Sequence, residues 1–406
     1  MSNTYERQKD ILKLISQLDI TDTMYKNADE KYHAIASFLE DCGIDADIYP
    51  QGSFAFGTVL RPNTKDPDAY YDLDFICQLH MTREEIRPSE LQEKIQKALE
   101  SSNRYGGKLT VYEECFTVEY APISGVGFTI DIVPASDESA ENKLSLAMRS
   151  PRPDLISTAI AIPRHNGERN YSWLTNNPKG FKKWFDEINQ PFLNSRRNEI
   201  RKSIYENHRM SYDSIEDVPV YMERSSVQRV IQIMKYHRNV YYNTLKDGDD
   251  LAPISAIINT LVTDISKTAP STLDVFELLA YVLNELQIYS EHLQMQNDAF
   301  LQMYNSRVSI THTNGKWEIQ NPANPDDNLA NKWNDNPAIP KTFFGWVKIC
   351  RKDLIDSLNL PDTQFRSHMD SAFGATAIEK SWGNKYRPVA PKPIIPTKAA
   401  QPYLFL

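Results

Sequence analysis

Apolar residues recur at helical spacing near the N-terminus: Ile11, Leu12, Ile15 and Leu18, then Met24, Ala28, Ala34, Ile35, Phe38 and Leu39. This pattern predicts a helical segment from Ile11 to about Glu40, with Gly43 at its C-terminus. The period then changes. The runs ADIYP (46–50), YDLDFICQL (71–79), KLTVYEE (108–114), CFTVEYA (115–121) and GFTIDIVPA (127–135) read as strands. A polar helical stretch at roughly 83–101 interrupts them, so the first half mixes helix with sheet. From about 180 onward the period returns to that of a helix. SVQRVIQIMKYHRNVYY (226–242) places Val227, Val230, Ile231, Met234 and Tyr241 on a stripe, and 254–265 and 272–286 read the same way. Residues 321–337, NPANPDDNLANKWNDNP, read as a loop before a last helical pair, and the Pro-rich residues from about Lys385 read as a loosely held tail. The fold class is α+β: a mixed lobe over 1–205, a helical lobe over 206–385 and a tail over 386–406.

Composition narrows the function. The 406 residues carry a formal net charge of −9, which argues against a surface dedicated to nucleic-acid phosphates. The four cysteines form no CxxC pair and have no histidine at zinc spacing, as expected of a reduced cytoplasmic protein without structural zinc. No apolar run approaches the ~20 residues of a membrane span.

The candidate chemistry lies in the strands. Asp72 and Asp74 are two apart in an apolar strand, so they project from one face while Leu73 and Phe75 enter the core. Two neighbouring carboxylates repel unless a proton or cation lies between them, and hard oxygen ligands suit Mg²⁺ or Mn²⁺. In GFTIDIVPA, Phe128, Ile130 and Ile132 alternate inward and leave Asp131 on the opposite face. Three acids from two strands, preceded by a Gly52-Ser53 turn suited to phosphate, are the parts of a two-metal phosphoryl-transfer site. A D-x-D pair alone is more often a solvated sheet face; the ordered combination points to catalysis.

That order resembles the polymerase-beta-like nucleotidyltransferase superfamily. Within it the chain looks most like the bacterial cGAS/DncV-like cyclic-oligonucleotide synthases of anti-phage signalling. The stretches carrying the resemblance are PQGSFAFGT, YYDLDFICQL, FTIDIVPA, NNPKGFKKWF (176–185), QRVIQIMKYHRN (228–239), APISAIINTL (252–261) and NPANPDDNLANKW (321–333). The resemblance implies a nucleotidyltransferase lobe followed by a helical lobe like that of oligoadenylate synthase, with the active site between them. It implies that Gly52 and Ser53 bind the donor's β- and γ-phosphates and that Asp72, Asp74 and Asp131 hold two Mg²⁺ or Mn²⁺ ions. Lys235 and Ser255 would grip the triphosphate tail. The substrates would be NTPs, ATP and GTP among them, and the product a purine-containing cyclic di- or trinucleotide, cyclic GMP-AMP being one candidate.

Other residues stay open between chemistry and packing. His237 and Arg238 read as cleft or packing residues, Arg61 as a phosphate ligand or the start of a loop, and Tyr171 and Trp173 as base-stacking groups or hydrophobic anchors. The basic run 194–203 reads as a ligand or partner site or a solvated helix face. Activation by nucleic acid is disfavoured, and control by a protein partner, a small metabolite or an operon-encoded regulatory protein fits better. Two alternatives remain at this stage: a linear transferase acting on RNA ends, and a nucleotide-binding sensor without turnover.

Overall fold

The structure, a computed structural model, describes residues 2–61, 70–123, 126–167, 170–208, 224–305 and 307–388. The N-terminal helical pattern forms two helices, α1 (Ser2–Ser16) and α2 (Asp22–Asp41), rather than one. The break is set by capping: the Thr21 hydroxyl accepts the Met24 amide at 3.3 Å and starts a new helix. Just past the end of α2, Gly43 takes a φ of 75°.

Each of the five strand runs holds a strand. These are β1 (Ala46–Pro50), β2 (Tyr70–Thr82), β3 (Leu109–Val111), β4 (Phe116–Ile123) and β5 (Val126–Asp137), with α3 (Gly52–Phe56) after β1 and α4 (Pro88–Ser101) after β2. Next come α5 (Ala140–Arg149), β6 (Ile160–His165), β7 (Tyr171–Asn176) and the long α6 (Pro178–His208). The sheet runs β1-β2-β5-β4-β3, and β6 and β7 extend it from the far end of β5. Strands β2 and β5 are parallel, and the other pairs are antiparallel.

One sheet face is buried against α2 and α4. Leu73, Phe75, Phe128, Ile130 and Ile132 meet Met24, Ala28, Ile35, Leu39, Leu91, Ile95 and Leu99 there, which removes apolar surface from water and fixes the register. The other face carries polar residues at one end, Asp74, Asp131 and Thr117 among them, and a smaller buried cluster of Ile76, Val133, Ala135, Ile160 and Ile162 further along.

The rear of the chain continues through α7 (Ser226–Tyr242), α8 (Gly248–Leu251), α9 (Ser255–Ser266), α10 (Val275–Tyr289) and α11 (Asn297–Tyr304). Short strands follow, β8 (Thr311–Thr313), β9 (Lys316–Glu318), β10 (Gln320–Asn321) and β11 (Asn324–Asn328), then α12 (Asn331–Asp335), α13 (Ala338–Leu354), α14 (Asp362–Phe373) and α15 (Ala375–Trp382). The rear core packs Val230, Ile231, Leu261, Val282, Trp346 and Phe365 together. Two segments from the first half join it: Ile11, Leu14 and Ile15 of α1, and Phe181, Trp184 and Phe185 of α6. Packing therefore ties both ends of the front lobe's chain to the helical lobe.

The segment 321–337 is not a loop. It forms the β10–β11 hairpin and α12. Its order comes from asparagine side chains bonding backbone, which hydrophobic periodicity cannot register: Asn328 Oδ1 accepts the amides of Ile319 (3.0 Å) and Ala330 (2.9 Å). Near the tail, the Tyr386 hydroxyl donates to Asp10 at 2.6 Å, and residues 389–406 lie outside the described residues. All four cysteines are free thiols. Among the described residues no helix is long and apolar enough to cross a membrane.

Candidate active site

The parallel register of β2 and β5 sets Asp74 directly beside Asp131 and Asp72 beside Thr129. Across the antiparallel pair, Thr117 of β4 lies opposite Asp131 and its hydroxyl donates to Asp131 Oδ1 at 2.6 Å. One row of the sheet thus reads Asp74–Asp131–Thr117, on the face opposite the front core. Both acids are half-buried. The backbone of Asp72 occupies the next row of the same face; its side chain lies outside the described residues.

The Gly-Ser turn is built against this row. The Gln51 amide donates to the Asp74 carbonyl at 2.8 Å, so the turn is tied to the strand that carries the acid. Gly52 has a φ of 61°, and a Cβ there would stand 2.5 Å from Asp74 Oδ2. Only glycine satisfies both the left-handed backbone and the closeness of the carboxylate. Helix α3 begins at this residue, and Gln51, Gly52 and Ser53 all line the cleft.

Helix α7 braces the turn from the other lobe. Three of its side chains, on one face at i, i+4 and i+7, donate to consecutive parts of the chain leaving α3. Gln228 Nε2 reaches the Phe56 carbonyl at 2.7 Å, Gln232 Nε2 the Val59 carbonyl at 3.0 Å, and Lys235 Nζ the Thr58 carbonyl at 3.4 Å. Lys235 is only 7% exposed. Burial pushes its pKa down to about 8; Arg238 adds to the shift and Asp74 opposes it. Arg238 in turn donates to the Pro253 carbonyl at 2.7 Å and to Ser255 Oγ at 3.4 Å, which fixes the start of α9.

Gly52, Ser53, Asp74, Lys235 and Ser255 all line one cleft of about 790 Å³. That volume is of the size that holds cofactor-scale ligands. Asp131 stands behind Asp74 in the sheet. The far wall is the β10–β11 hairpin with α12, including Asp327, Leu329, Lys332 and Trp333.

Several candidates lie elsewhere. His237 is buried in the rear core, its Nε2 3.2 Å from Asp353 Oδ2 and its Nδ1 accepting from Trp346 Nε1 at 3.0 Å. Tyr171 and Trp173 sit on β7, not on a loop. Tyr171 stacks on His165, and Trp173 packs on the front core with the Arg83 guanidinium 5.8 Å from its ring, so both serve as anchors. Arg61 joins the Leu18 carbonyl through its amide at 2.6 Å and is not among the residues lining the cleft. The basic run 194–203 lies within α6, and its side chains from 198 onward are outside the described residues. The sequence reading missed Thr117, Gln228 and Gln232. Period two places Thr117 on the acid face once the strand order is known, and the glutamine spacing is legible on the α7 helix.

The oxygen donors suit a hard divalent cation. Two carboxylates stand in register with a hydroxyl steadying one of them, and the nearby Cys115 thiol is pushed up to about 12 by burial and then by the charges of Asp131 and Asp74. Among the described residues no three His, Cys, Asp or Glu side chains cluster for a metal; the register adds the Asp72 position to the Asp74–Asp131 pair.

Residues 46–134 match the family described as "Cyclic GMP-AMP synthase DncV-like, nucleotidyltransferase domain". The chain is 24% identical over 353 residues to a c-di-GMP synthase of Roseivirga ehrenbergii, covering 85% of this chain and 78% of that one. It resembles the Bradyrhizobium diazoefficiens CD-NTase CdnG, solved in complex with GTP, with a TM-score of 0.64 and 19% identity over 92% of this chain and 97% of that one. It also resembles CdnC of E. coli MS115-1, solved with a HORMA protein, with a TM-score of 0.55 and 14% identity over 91% and 97% of the two chains.

Proposed function

We propose that the chain is a cGAS/DncV-like nucleotidyltransferase that joins purine nucleoside triphosphates into a cyclic dinucleotide, releasing pyrophosphate. One observation supports this above the rest: Asp74 and Asp131 stand in register beside a glycine turn that packs on the Asp74 carboxylate itself.

In this reading the amides at Gly52 and Ser53, the Ser53 hydroxyl, Lys235 and Ser255 bind and orient the donor triphosphate. Lys235 carries its charge in a buried site, where it acts on phosphate with little screening. Asp74 and Asp131, with Asp72, would hold Mg²⁺ or Mn²⁺, which would supply positive charge favouring the deprotonated ribose hydroxyl and the departing pyrophosphate. Asp131, steadied by Thr117, accepts the proton of the acceptor hydroxyl. The hydroxyl oxygen bonds to the donor α-phosphorus, and the bond from that phosphorus to the pyrophosphate oxygen breaks. A second linkage in the same cleft closes the ring.

The family relation supports a role in anti-phage signalling, and the HORMA partner of the E. coli relative supports control by a regulatory protein.

Asp74→Asn and Asp131→Asn test the assignment. Each leaves the fold intact and lowers product formation from NTPs by on the order of a thousandfold. A folded variant of either kind that kept appreciable synthesis would sink it.

A further inference from the structure

We propose that Asp327, with Lys332, selects guanine as a base bound in this cleft. The inference rests on the nucleotidyltransferase reading above and deepens it by naming the base.

The cleft is chemically divided. Gly52, Ser53, Lys235 and Ser255 make a wall suited to phosphate, whereas the hairpin and α12 face it with the apolar Leu329 and Trp333 set among Asn321, Asp327, Asn328 and Lys332. A nucleotide whose triphosphate lies on the first wall has its base left for the second. The polar groups on that second wall decide which base edge it accepts.

Two of the hairpin's asparagines are committed to holding the structure. Asn321 Oδ1 accepts the Ala323 amide at 3.0 Å and its Nδ2 donates to Asp327 Oδ2 at 2.9 Å. Asn328 accepts the amides of Ile319 and Ala330 and donates to the Trp317 carbonyl at 2.9 Å. Asp327 is therefore a carboxylate oriented by a neighbour and presented on the cleft wall, with Lys332 lining the same wall.

The hairpin is also braced to the front lobe. Asn324 Nδ2 donates to the Thr175 carbonyl at 2.9 Å, Asn177 Nδ2 donates to the Ala323 carbonyl at 2.9 Å, and Arg149 pairs with Asp326. The reading group is thus preorganised rather than carried on a free loop.

The chemistry then chooses the base. An ionised carboxylate only accepts hydrogen bonds, and an ammonium only donates. Guanine offers two donors, N1–H and the N2 amine, beside the O6 acceptor. Asp327 satisfies the donors and Lys332 the O6. Adenine presents an acceptor at N1 and a donor at N6, the opposite order, and meets like against like at both residues. Replacing the carboxylate by an amide restores a donor and an acceptor, the pair that adenine matches.

The test uses the full chain and measures binding of GTP, inosine triphosphate and ATP by calorimetry, for wild type and Asp327→Asn. Wild type is expected to prefer GTP over ATP by roughly ten- to a hundredfold. It is expected to bind inosine triphosphate, which lacks the N2 amine, several-fold more weakly than GTP. In Asp327→Asn the preference for GTP over ATP collapses or inverts, and GTP and inosine triphosphate become equal. A wild type that binds GTP and inosine triphosphate alike, or a folded Asp327→Asn that keeps the full guanine preference, overturns the proposal. Because wild type carries the first comparison, misfolding of the variant does not rescue it. Failure of the underlying reading is distinct: no nucleoside triphosphate of any base would bind in the cleft.

Discussion

Lys235 is the residue whose environment most sharply shapes how the site behaves. It is buried, its Nζ meets the Thr58 carbonyl, and its pKa is pushed down to about 8, chiefly by burial. The free protein therefore starts to lose this charge as pH rises through about 8. A bound triphosphate favours the charged form, so binding above that pH takes up a proton and weakens with each further rise. The expected result is a donor-nucleotide affinity constant below about pH 8 that falls up to tenfold per unit above it. In Lys235→Gln the affinity is lower and this pH step is gone. Titration calorimetry across pH 7 to about 9.5 checks it, and a Lys235→Gln profile that keeps the wild-type step would remove Lys235 from the triphosphate site. The residues that period two can reveal, Asp74 and Asp131, were legible in the sequence because strand geometry alone puts them on one face. Thr117 and Asp327 were not, because their significance depends on which strand lies beside which and on where the hairpin folds.

At the level of elements, the contact between α7 and the chain leaving α3 carries the link between the lobes. Gln228 and Gln232 are buried and donate to the Phe56 and Val59 carbonyls. Replacing either with Leu leaves a buried carbonyl without its side-chain donor, a loss of about 1–3 kcal/mol. Both replacements are expected to lower the denaturation midpoint and to weaken nucleotide binding, because the Gly-Ser turn loses its support from behind. A Gln228→Leu, Gln232→Leu double variant with wild-type affinity would show that α7 does not position the turn. Helices and strands with a strong apolar period were readable in advance: β1 spans the run Ala46–Pro50, and α7 covers Ser226–Tyr242 as the pattern predicted. The misses share a cause. The break between α1 and α2 is set by the Thr21 cap, and the β10–β11 hairpin is held by asparagine side chains, so both depend on polar bonds that leave no hydrophobic rhythm. Strands β6 and β7 were hidden because their pairing partners are supplied by the far end of β5 and by one another.

Across the whole molecule, two cores face each other over one cleft, and each wall supplies what the other lacks. The sheet brings acids, the rear helices bring a cation and a hydroxyl, and the hairpin with α12 brings Asp327, Lys332 and Trp333. A net charge of −9 argues against a surface dedicated to nucleic-acid phosphates. In the proposed function this cleft joins nucleoside triphosphates to one another and closes a ring. The decisive experiment is incubation of the full chain with all four NTPs and Mg²⁺ or Mn²⁺, then phosphatase treatment and mass spectrometry. The expected product is a phosphatase-resistant species at the mass of a guanine-containing cyclic dinucleotide. Nucleotide addition to RNA ends, with every small product destroyed by phosphatase, would contradict it.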